Sequence, residues 1–232
     1  MKLSDIFFAL ASGEISNLSC VVNGEISPNK YKQVITAINR GIVNLGTRFT
    51  LNKGYLVLQT STGKDTYVLS PKYALSVNPN GYILDANTPF TKPFLEMLHI
   101  TDTATESRVE LDGSGLVTRL AVDTLRFNQD PTNKTYLVHY TTLPDPISTD
   151  LNTLVDLDAT EVDLPLAYLN ALIYFVAATF YAPTLSGMDG VRGNMDVNYR
   201  QMYEAECRLL ETRGIDIDES EPTNLFVQRG FI

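Results

Sequence analysis

The sequence predicts an α+β protein: a helical bundle made from both ends of the chain, with a β-rich domain inserted between them. Three patterns support this fold class. Apolar residues recur every three or four positions in the N-terminal part, short β-type runs separated by turns occupy the middle, and helical patterns return near residue 160. The expected parts are a bundle from residues 1–53 and 160–214, an inserted β-rich domain from 54–159, and a C-terminal arm from 215–232.

Composition limits the possible classes of function. The chain has 232 residues and a formal net charge of −9, whereas tight binding to a nucleic-acid backbone needs a basic face. Cys20 and Cys207 lie far apart without CxxC partners, so neither a disulfide framework nor a zinc site is expected. The first residues are too few and too acidic for a secretory signal, and we expect a soluble chain made in the cytoplasm, with no membrane partner.

The first helix is expected to start at Ser4, which reads as its N-cap. Leu3 and Phe8 are placed to form a hydrophobic staple across that cap. Gly13 is expected to end the helix, and residues 14–26 are expected to form a loop.

The second helix carries the strongest periodic signal in the chain. Ser27 is expected to cap it, with Pro28 at its first position. One buried face is predicted from the three- and four-residue spacing of Tyr31, Val34, Ile35, Ile38, Ile42, Leu45 and Phe49. Gly41 and Gly46 interrupt this pattern and permit either a close helix contact or a bend. Its basic residues are expected to spread around the polar side: Lys30, Lys32, Arg40 and Arg48.

The middle of the chain reads as short strands joined by turns. Residues 55–59 and 67–70 are expected to pair as a hairpin through the loop at 60–65, which contains Gly63. A strand at 94–100 is expected to form a second hairpin with residues 108–111. Two more strands, at 125–128 and 136–140, flank the turn at Asp130 and Pro131.

A long apolar run, residues 160–183, is the segment around which the rest is expected to pack. Asp163 is expected to cap its helix, and Pro165 falls in the first turn. The helix is about 24 Å long, which is too short to span a bilayer. Because it is apolar on all sides, it is expected to be buried, either in the core or partly against a neighbouring copy. The residues assigned to this core and ring helix are Leu166, Leu169, Leu172, Phe175, Val176 and Phe180.

The last helix is expected to begin at Asp196 and to run to about Arg213. Its inward stripe is expected to consist of Tyr199, Met202, Tyr203, Cys207 and Leu210.

An acidic segment precedes the central helix and contains Asp156, Asp158, Glu161 and Asp163. It lacks the mid-loop glycine of an EF-hand, so a solvated linker is expected there rather than a calcium site.

The sequence carries little that predicts catalysis. His99 and His139 are the near-neutral acid–base groups available, and both lie in expected strands. There is no GxSxG elbow, HExxH pair or cysteine–histidine pair. The glycine-containing loops at 112–115 and 187–193 lack the Lys-Ser/Thr of a phosphate loop. We therefore expect a protein that is not an enzyme, with no catalytic residue, cofactor or metal.

The order of elements resembles that of the head-to-tail adaptor (connector) proteins of tailed bacteriophages, including the tubular-protein-A type. The stretches that carry the resemblance are SPNKYKQVITAINRGIVNLGTRFTL, TYLVHYTTLP, VDLDATEVDLP, LPLAYLNALIYFVAATFYAP and NYRQMYEAECRLLETRGI. The resemblance implies a virion protein whose helical bundle forms a dodecameric ring under the portal, with the β-insert facing the tail or nozzle protein. It implies no catalysis, and genomic DNA passing through the ring without tight binding.

The C-terminal arm is unexpectedly apolar for a chain end. It follows an acidic, proline-containing spacer at 216–222 and could fold back on its own subunit. By resemblance, it would instead dock on the portal through Leu225, Phe226, Val227, Arg229, Phe231 and Ile232. Three alternatives remain open at this point: a small-molecule or peptide-binding module that uses the β-insert, another phage neck or tail protein, and a hydrolase with a site around 112–115 and His139.

Overall fold

The fold is mixed α and β, as the sequence predicts. The structure is a computed structural model that describes residues 1–85, 89–92, 94–111, 115–129, 133–151, 153–182 and 195–213. The chain divides into two compact units. We call Met1–Ile42 with Pro146–Ile232 the terminal unit, and Val43–Asp145 the central unit. The first boundary falls inside the second helix.

The terminal unit is mainly helical. Its helices are α1 (Leu3–Ser12), the first part of α2 (Tyr31–Arg48), α3 (Leu154–Ala159), α4 (Leu169–Tyr181) and α5 (Met195–Thr212). Short 3₁₀ turns, Pro28–Lys30 and Leu166–Tyr168, lead into α2 and α4. A small hairpin of β1 (Val21–Val22) and β2 (Glu25–Ile26) lies between α1 and α2. The predicted buried face of α2 is confirmed at every position, from Tyr31 to Phe49.

Both predicted N-caps at the chain's first and central helices are wrong. The first helix begins at Leu3, so Ser4 lies inside its first turn, where its Oγ donates to Asp158 Oδ1 at 3.1 Å. Phe8 is 72% exposed, which excludes the predicted staple. The 3₁₀ turn before α4 starts after Pro165 without a side-chain cap, so Asp163 does not cap it.

The start of the chain pairs with the segment that precedes α4. The Met1 ammonium donates to the Val162 carbonyl at 3.1 Å, and the Val162 N–H donates to the Met1 carbonyl at 2.8 Å. The Leu3 N–H donates to the Thr160 carbonyl at 2.9 Å. Lys2 Nζ also lies 3.1 Å from Asp158 Oδ1. Backbone pairing therefore joins residues from opposite halves of the sequence within the terminal unit.

The central unit contains two antiparallel sheets. The five-stranded sheet has the order β5-β3-β10-β6-β7 and the three-stranded sheet the order β4-β9-β8. The strands are β3 (Asn52–Gln59), β4 (Thr66–Val68), β5 (Ile83–Leu84), β6 (Phe94–Asp102), β7 (Ser107–Val109), β8 (Val117–Ala121), β9 (Thr124–Phe127) and β10 (Thr135–Thr142). The predicted hairpin between 94–100 and 108–111 is confirmed as β6 and β7.

The predicted hairpin between β3 and β4 is wrong, because these strands belong to different sheets. Tyr67 explains the separation. Its fully buried ring meets Phe127 edge-on, with 5.6 Å between centroids. Its hydroxyl accepts from the Ser61 N–H at 2.8 Å and donates to the Lys64 carbonyl at 3.0 Å, which fixes the intervening loop. The chain thus leaves β3 and pairs with β9 instead.

Candidate interaction surfaces

The central helix α4 is buried on one side and half-buried on the other. Leu172 and Val176 are fully buried, whereas Leu169, Phe175 and Phe180 are only half-buried. Leu166 precedes the helix and is 71% exposed. The expectation that the whole run is buried is therefore wrong for the chain on its own, and the exposed apolar area lies at its start and on its outer side.

Helix α4 packs against both α2 and α5. Gly41 on α2 provides the close approach, because a Cβ at this position would lie 2.6 Å from Leu172 Cδ1 and 3.1 Å from Phe175 Cδ1. On the other side, Phe175 meets the ring of Tyr203 on α5 edge-on, with centroids 5.5 Å apart. Of the two explanations for Gly41, close helix contact is the correct one.

Two tyrosines attach the α4–α5 pair to the end of α1. The hydroxyls of Tyr181 and Tyr199 both donate to the Glu14 carbonyl, at 3.1 and 3.4 Å. The two rings are stacked with centroids 5.4 Å apart. Burial, followed by the contact with Glu14, raises the pKa of Tyr199 well above its ordinary value. The Tyr199 phenol therefore stays a protonated donor at neutral pH.

Helix α5 leaves an apolar stripe uncovered by the described residues. Tyr203, Cys207 and Leu210 are buried, as predicted, and Tyr199 is half-buried. Met202 was assigned to the same inward stripe, but it is 40% exposed. Three other large apolar residues of α5 are exposed: Val197 (46%) lies off this line, and Met195 (39%) and Leu209 (41%) lie one heptad from Met202 on either side. Residues seven apart lie nearly on one line along a helix, so Met195, Met202 and Leu209 mark one apolar stripe with its members about 10 Å apart.

A second apolar surface of the terminal unit surrounds a small cavity of about 120 Å³. Phe7, Phe8 and Tyr31 line it together with Leu154 and Leu157 of α3. Phe8 and Leu154 are exposed, as is the neighbouring Val155. This surface combines residues from the N-terminal helix and from the segment before α4.

A large open groove of about 870 Å³ lies between α2, α4 and the start of α5. The cationic side chains that line it are Lys32, Arg40 and Arg200. Its other lining residues are Asn29, Gln33, Thr36, Ala37, Phe175, Thr179, Phe180 and Ala182. We call this surface the basic groove.

Two of the four basic residues that were expected to spread around the polar side of α2 line the basic groove. Lys32 and Arg40 are two turns apart and lie on one side of the helix, where α5 adds Arg200. Arg200 Nε is 3.9 Å from Asp196 Oδ2, while Lys32 and Arg40 form no ion pair within the described part of the chain. Within the described ranges, Lys32 and Arg40 therefore give the groove two cations without a carboxylate partner in an otherwise acidic protein.

Asp196 lies at the edge of this arrangement. Helix α5 begins at Met195, so Asp196 is inside its first turn rather than at the predicted cap. The residue is buried, and its Oδ1 atom has no hydrogen-bond partner among the described residues. Its carboxylate still suits this position, since negative charge in the first turn interacts favourably with the helix dipole.

The two histidines form a pair on one face of the five-stranded sheet. His99 on β6 lies directly opposite His139 on β10, and their rings stack with centroids 4.1 Å apart. The proposed hydrolase site would combine His139 with residues 112–115, of which 112–114 lie outside the described residues. No group of three possible metal ligands occurs among the residues that the structure describes.

Three features were missed at the sequence level. The β1–β2 hairpin turns at Asn23 and Gly24, both with positive φ, and Asn-Gly is a strong hairpin signal. Helix α3 replaces the expected solvated linker, and its signal is the capping box Thr153–Asp156. The basic groove has only a weak signal, since Arg200 is distant in sequence from α2.

The portal-docking residues Leu225, Phe226, Val227, Arg229, Phe231 and Ile232, and the loop at 187–193, lie outside the described residues.

Comparison with known proteins gives no match, either to a protein-family model or to a curated protein sequence.

Among the described residues, no helix has both the length and the apolar composition required to cross a membrane.

Proposed function

We propose that this chain is a structural virion protein of a tailed bacteriophage: one subunit of a head-to-tail adaptor ring beneath the portal. In this proposal twelve copies form the ring, which joins the capsid to the tail or nozzle protein and continues the DNA channel. The observation that carries the proposal is the exposed apolar stripe Met195, Met202 and Leu209 on α5. It supplies a lateral surface for a second copy.

The stripe supports self-association for a physical reason. Three apolar side chains aligned on one helix leave apolar area in water, and covering that area is favourable by roughly 25 cal/mol per Å². A subunit of a closed ring needs two lateral surfaces of this kind. The patch around Phe8, Leu154 and Val155 is a candidate for the second surface, because it is also apolar and exposed.

The proposal assigns roles to the parts of the chain. The helical bundle from both chain ends forms the ring, and the inserted β-rich domain faces the tail. The pairing of Met1 with Val162 is consistent with one bundle built from both ends. The apolar end of the C-terminal arm docks on the portal through Phe226 and Phe231.

The net negative charge of the chain is consistent with a channel through which DNA passes without binding tightly. At −9 per chain, a ring of about twelve copies carries a formal charge on the order of minus one hundred, which opposes tight binding of DNA. The proposal includes no catalysis, cofactor or metal. Assembly takes place in the host cytoplasm, and the final location is the virion neck.

The test is the mass of the purified chain, measured alone and with the portal protein of the same phage. We expect the chain to form a ring complex, and Met202→Glu with Leu209→Glu to prevent it while the chain remains folded. Gln201→Glu, an exposed polar position on the same helix, is the matched control and is expected to assemble normally. A chain that stays monomeric at high concentration and with portal present would contradict the proposal.

The alternative of a small-molecule or peptide-binding module in the β-rich domain receives less support. Both cavities described above are lined by residues of the terminal unit. Within the described residues, these cavities favour the terminal unit as the surface that binds partners.

A further inference from the structure

The basic groove has the properties of a binding site for an acidic segment. Lys32 and Arg40 project from one side of α2, and Arg200 projects from α5 across the groove. Phe175, Phe180 and Ala37 add apolar surface between the cationic groups. The groove is open, and its side chains Lys32, Arg40 and Arg200 are exposed. It therefore suits an extended chain better than a small enclosed molecule.

The chain itself contains a segment with the complementary chemistry. Residues 216–221 include Asp216, Asp218, Glu219 and Glu221, four carboxylates in six positions. Ile215 and Ile217 alternate with the first two of them. In an extended chain, alternate side chains point to opposite sides, so Ile215 and Ile217 would lie on one face and Asp216 and Asp218 on the other, while Glu219 and Glu221 would continue the isoleucine face. Such a segment matches a groove that has both phenyl rings and cations.

The length of the acidic segment also agrees with the length of the basic groove. The groove follows α2 from Asn29 to Arg40, which is about 16 Å at 1.5 Å per residue. Five to six extended residues cover about the same distance. The acidic segment is therefore about as long as the groove.

Chain connectivity favours binding between two copies. From Arg200 to the end of α5 at Thr212 the helix extends about 18 Å. Asp216 is only three residues beyond Arg213, so within one chain it reaches about 10 Å back even when fully extended. Asp216 therefore falls short of Arg200, whereas Asp218, Glu219 and Glu221 have about 17 Å of chain or more beyond Arg213 and could approach it, so a segment cannot bring all four carboxylates into the groove of its own chain. The segment of a second copy has no such tether and can place all four carboxylates in the groove.

We propose that the basic groove of one copy binds the acidic segment 216–221 of a neighbouring copy. The contact is a chain of charge-assisted hydrogen bonds from Lys32, Arg40 and Arg200 to carboxylates, with isoleucines against the phenyl rings. Each copy provides one groove and one segment, so the contact is head-to-tail and repeats around a ring. This proposed contact between copies does not depend on whether the assembled copies form a virion adaptor.

The test is sedimentation of the full chain and of two charge-reversed variants. The groove variant is Lys32→Glu with Arg40→Glu, and the segment variant is Asp216→Lys with Asp218→Lys. Each variant is expected to self-associate at least tenfold more weakly than the unchanged chain. Arg208→Glu with Arg213→Glu reverses two exposed basic residues outside the groove and is expected to leave association unchanged.

Mixing the two variants separates binding between copies from folding back within one chain. The groove variant keeps a normal segment and the segment variant keeps a normal groove, so the mixture is expected to form a heterodimer. A mixture that does not associate more strongly than either variant alone would overturn the proposal in favour of an in-chain contact.

Two other results would overturn the proposal directly. One is self-association that is equal in all variants, or that is absent from the unchanged chain up to about 100 μM, far above the Kd of a specific assembly. The other is submicromolar binding of duplex DNA that the groove variant abolishes while self-association persists, because the groove would then be a phosphate site.

Discussion

Gly41 on α2 and Leu172 on α4 touch so closely that no side chain fits between them: a Cβ on Gly41 would lie 2.6 Å from Leu172 Cδ1. Leu172 is fully buried and cannot move aside freely. The contact joins a helix from the N-terminal part of the chain to the apolar helix that follows the β-rich region.

Gly41→Ala is expected to lower the free energy of unfolding by about 1 kcal/mol. Alanine gains about 1 kcal/mol in helix propensity, but overpacking the contact costs about 1–3 kcal/mol. In a Leu172→Ala background the 2.6 Å contact is gone and only the looser 3.1 Å contact with Phe175 remains, so the same substitution is expected to destabilise the protein less or to stabilise it. Chemical denaturation of the four chains measures this cycle. An effect of the same sign and size in both backgrounds would contradict the close contact.

Leu172→Asp is expected to abolish cooperative unfolding. An unpaired carboxylate at a fully buried site costs several kcal/mol, comparable to the total stability of a domain. Leu166→Asp is the matched control, because Leu166 belongs to the same apolar run but is exposed. It should change stability by no more than about 0.5 kcal/mol. Circular dichroism melting distinguishes them, and equal melting of both variants would show that Leu172 is not part of the core.

Asp85 is expected to make the stability of the central unit depend on pH. Burial alone would raise its pKa, but hydrogen bonds from the Ser76 hydroxyl and the N–H groups of Phe90 and Ser76 outweigh burial and hold the pKa below its ordinary value. A carboxyl with a lowered folded-state pKa stabilises the fold above its unfolded pKa, about 3.9, and loses that contribution as pH falls through the folded value.

Asp85→Asn should therefore lower the free energy of unfolding by about 1–3 kcal/mol near neutral pH. At pH values below the folded-state pKa the variant and the unchanged chain should become similar. Glu110→Gln, an exposed carboxyl of the same unit, serves as the control. Denaturation midpoints measured from pH 2 to 7 test the prediction, and a constant difference across that range would exclude this role for Asp85.

Truncation after Glu221 tests the C-terminal arm. The truncated chain keeps the acidic segment and loses the apolar end, including Phe226 and Phe231. It is expected to keep its melting temperature and its self-association, but to fail to join portal-bearing heads. If the isolated chain instead loses much of its stability while assembly remains intact, the apolar end belongs to its own subunit.

The sequence predicts features whose signal lies within one short segment better than features that depend on contacts between distant segments. The buried face of α2 is a repeat within one helix, so its spacing alone identified residues from Tyr31 to Phe49. The strand β10 could be recognised, but its partners β3 and β6 are distant in sequence, and nothing local specifies such pairing. The same limit applies to the basic groove, where Lys32 and Arg200 meet only through the packing of α2, α4 and α5.

The most direct test of the proposed function is cryo-electron microscopy of tailed particles that carry this chain, labelled at its N-terminus. The account predicts density for a ring of copies between the portal and the tail, with the terminal unit in the ring and the apolar C-terminal arm against the portal. Label absent from the neck, or a single copy at another place in the particle, would contradict it.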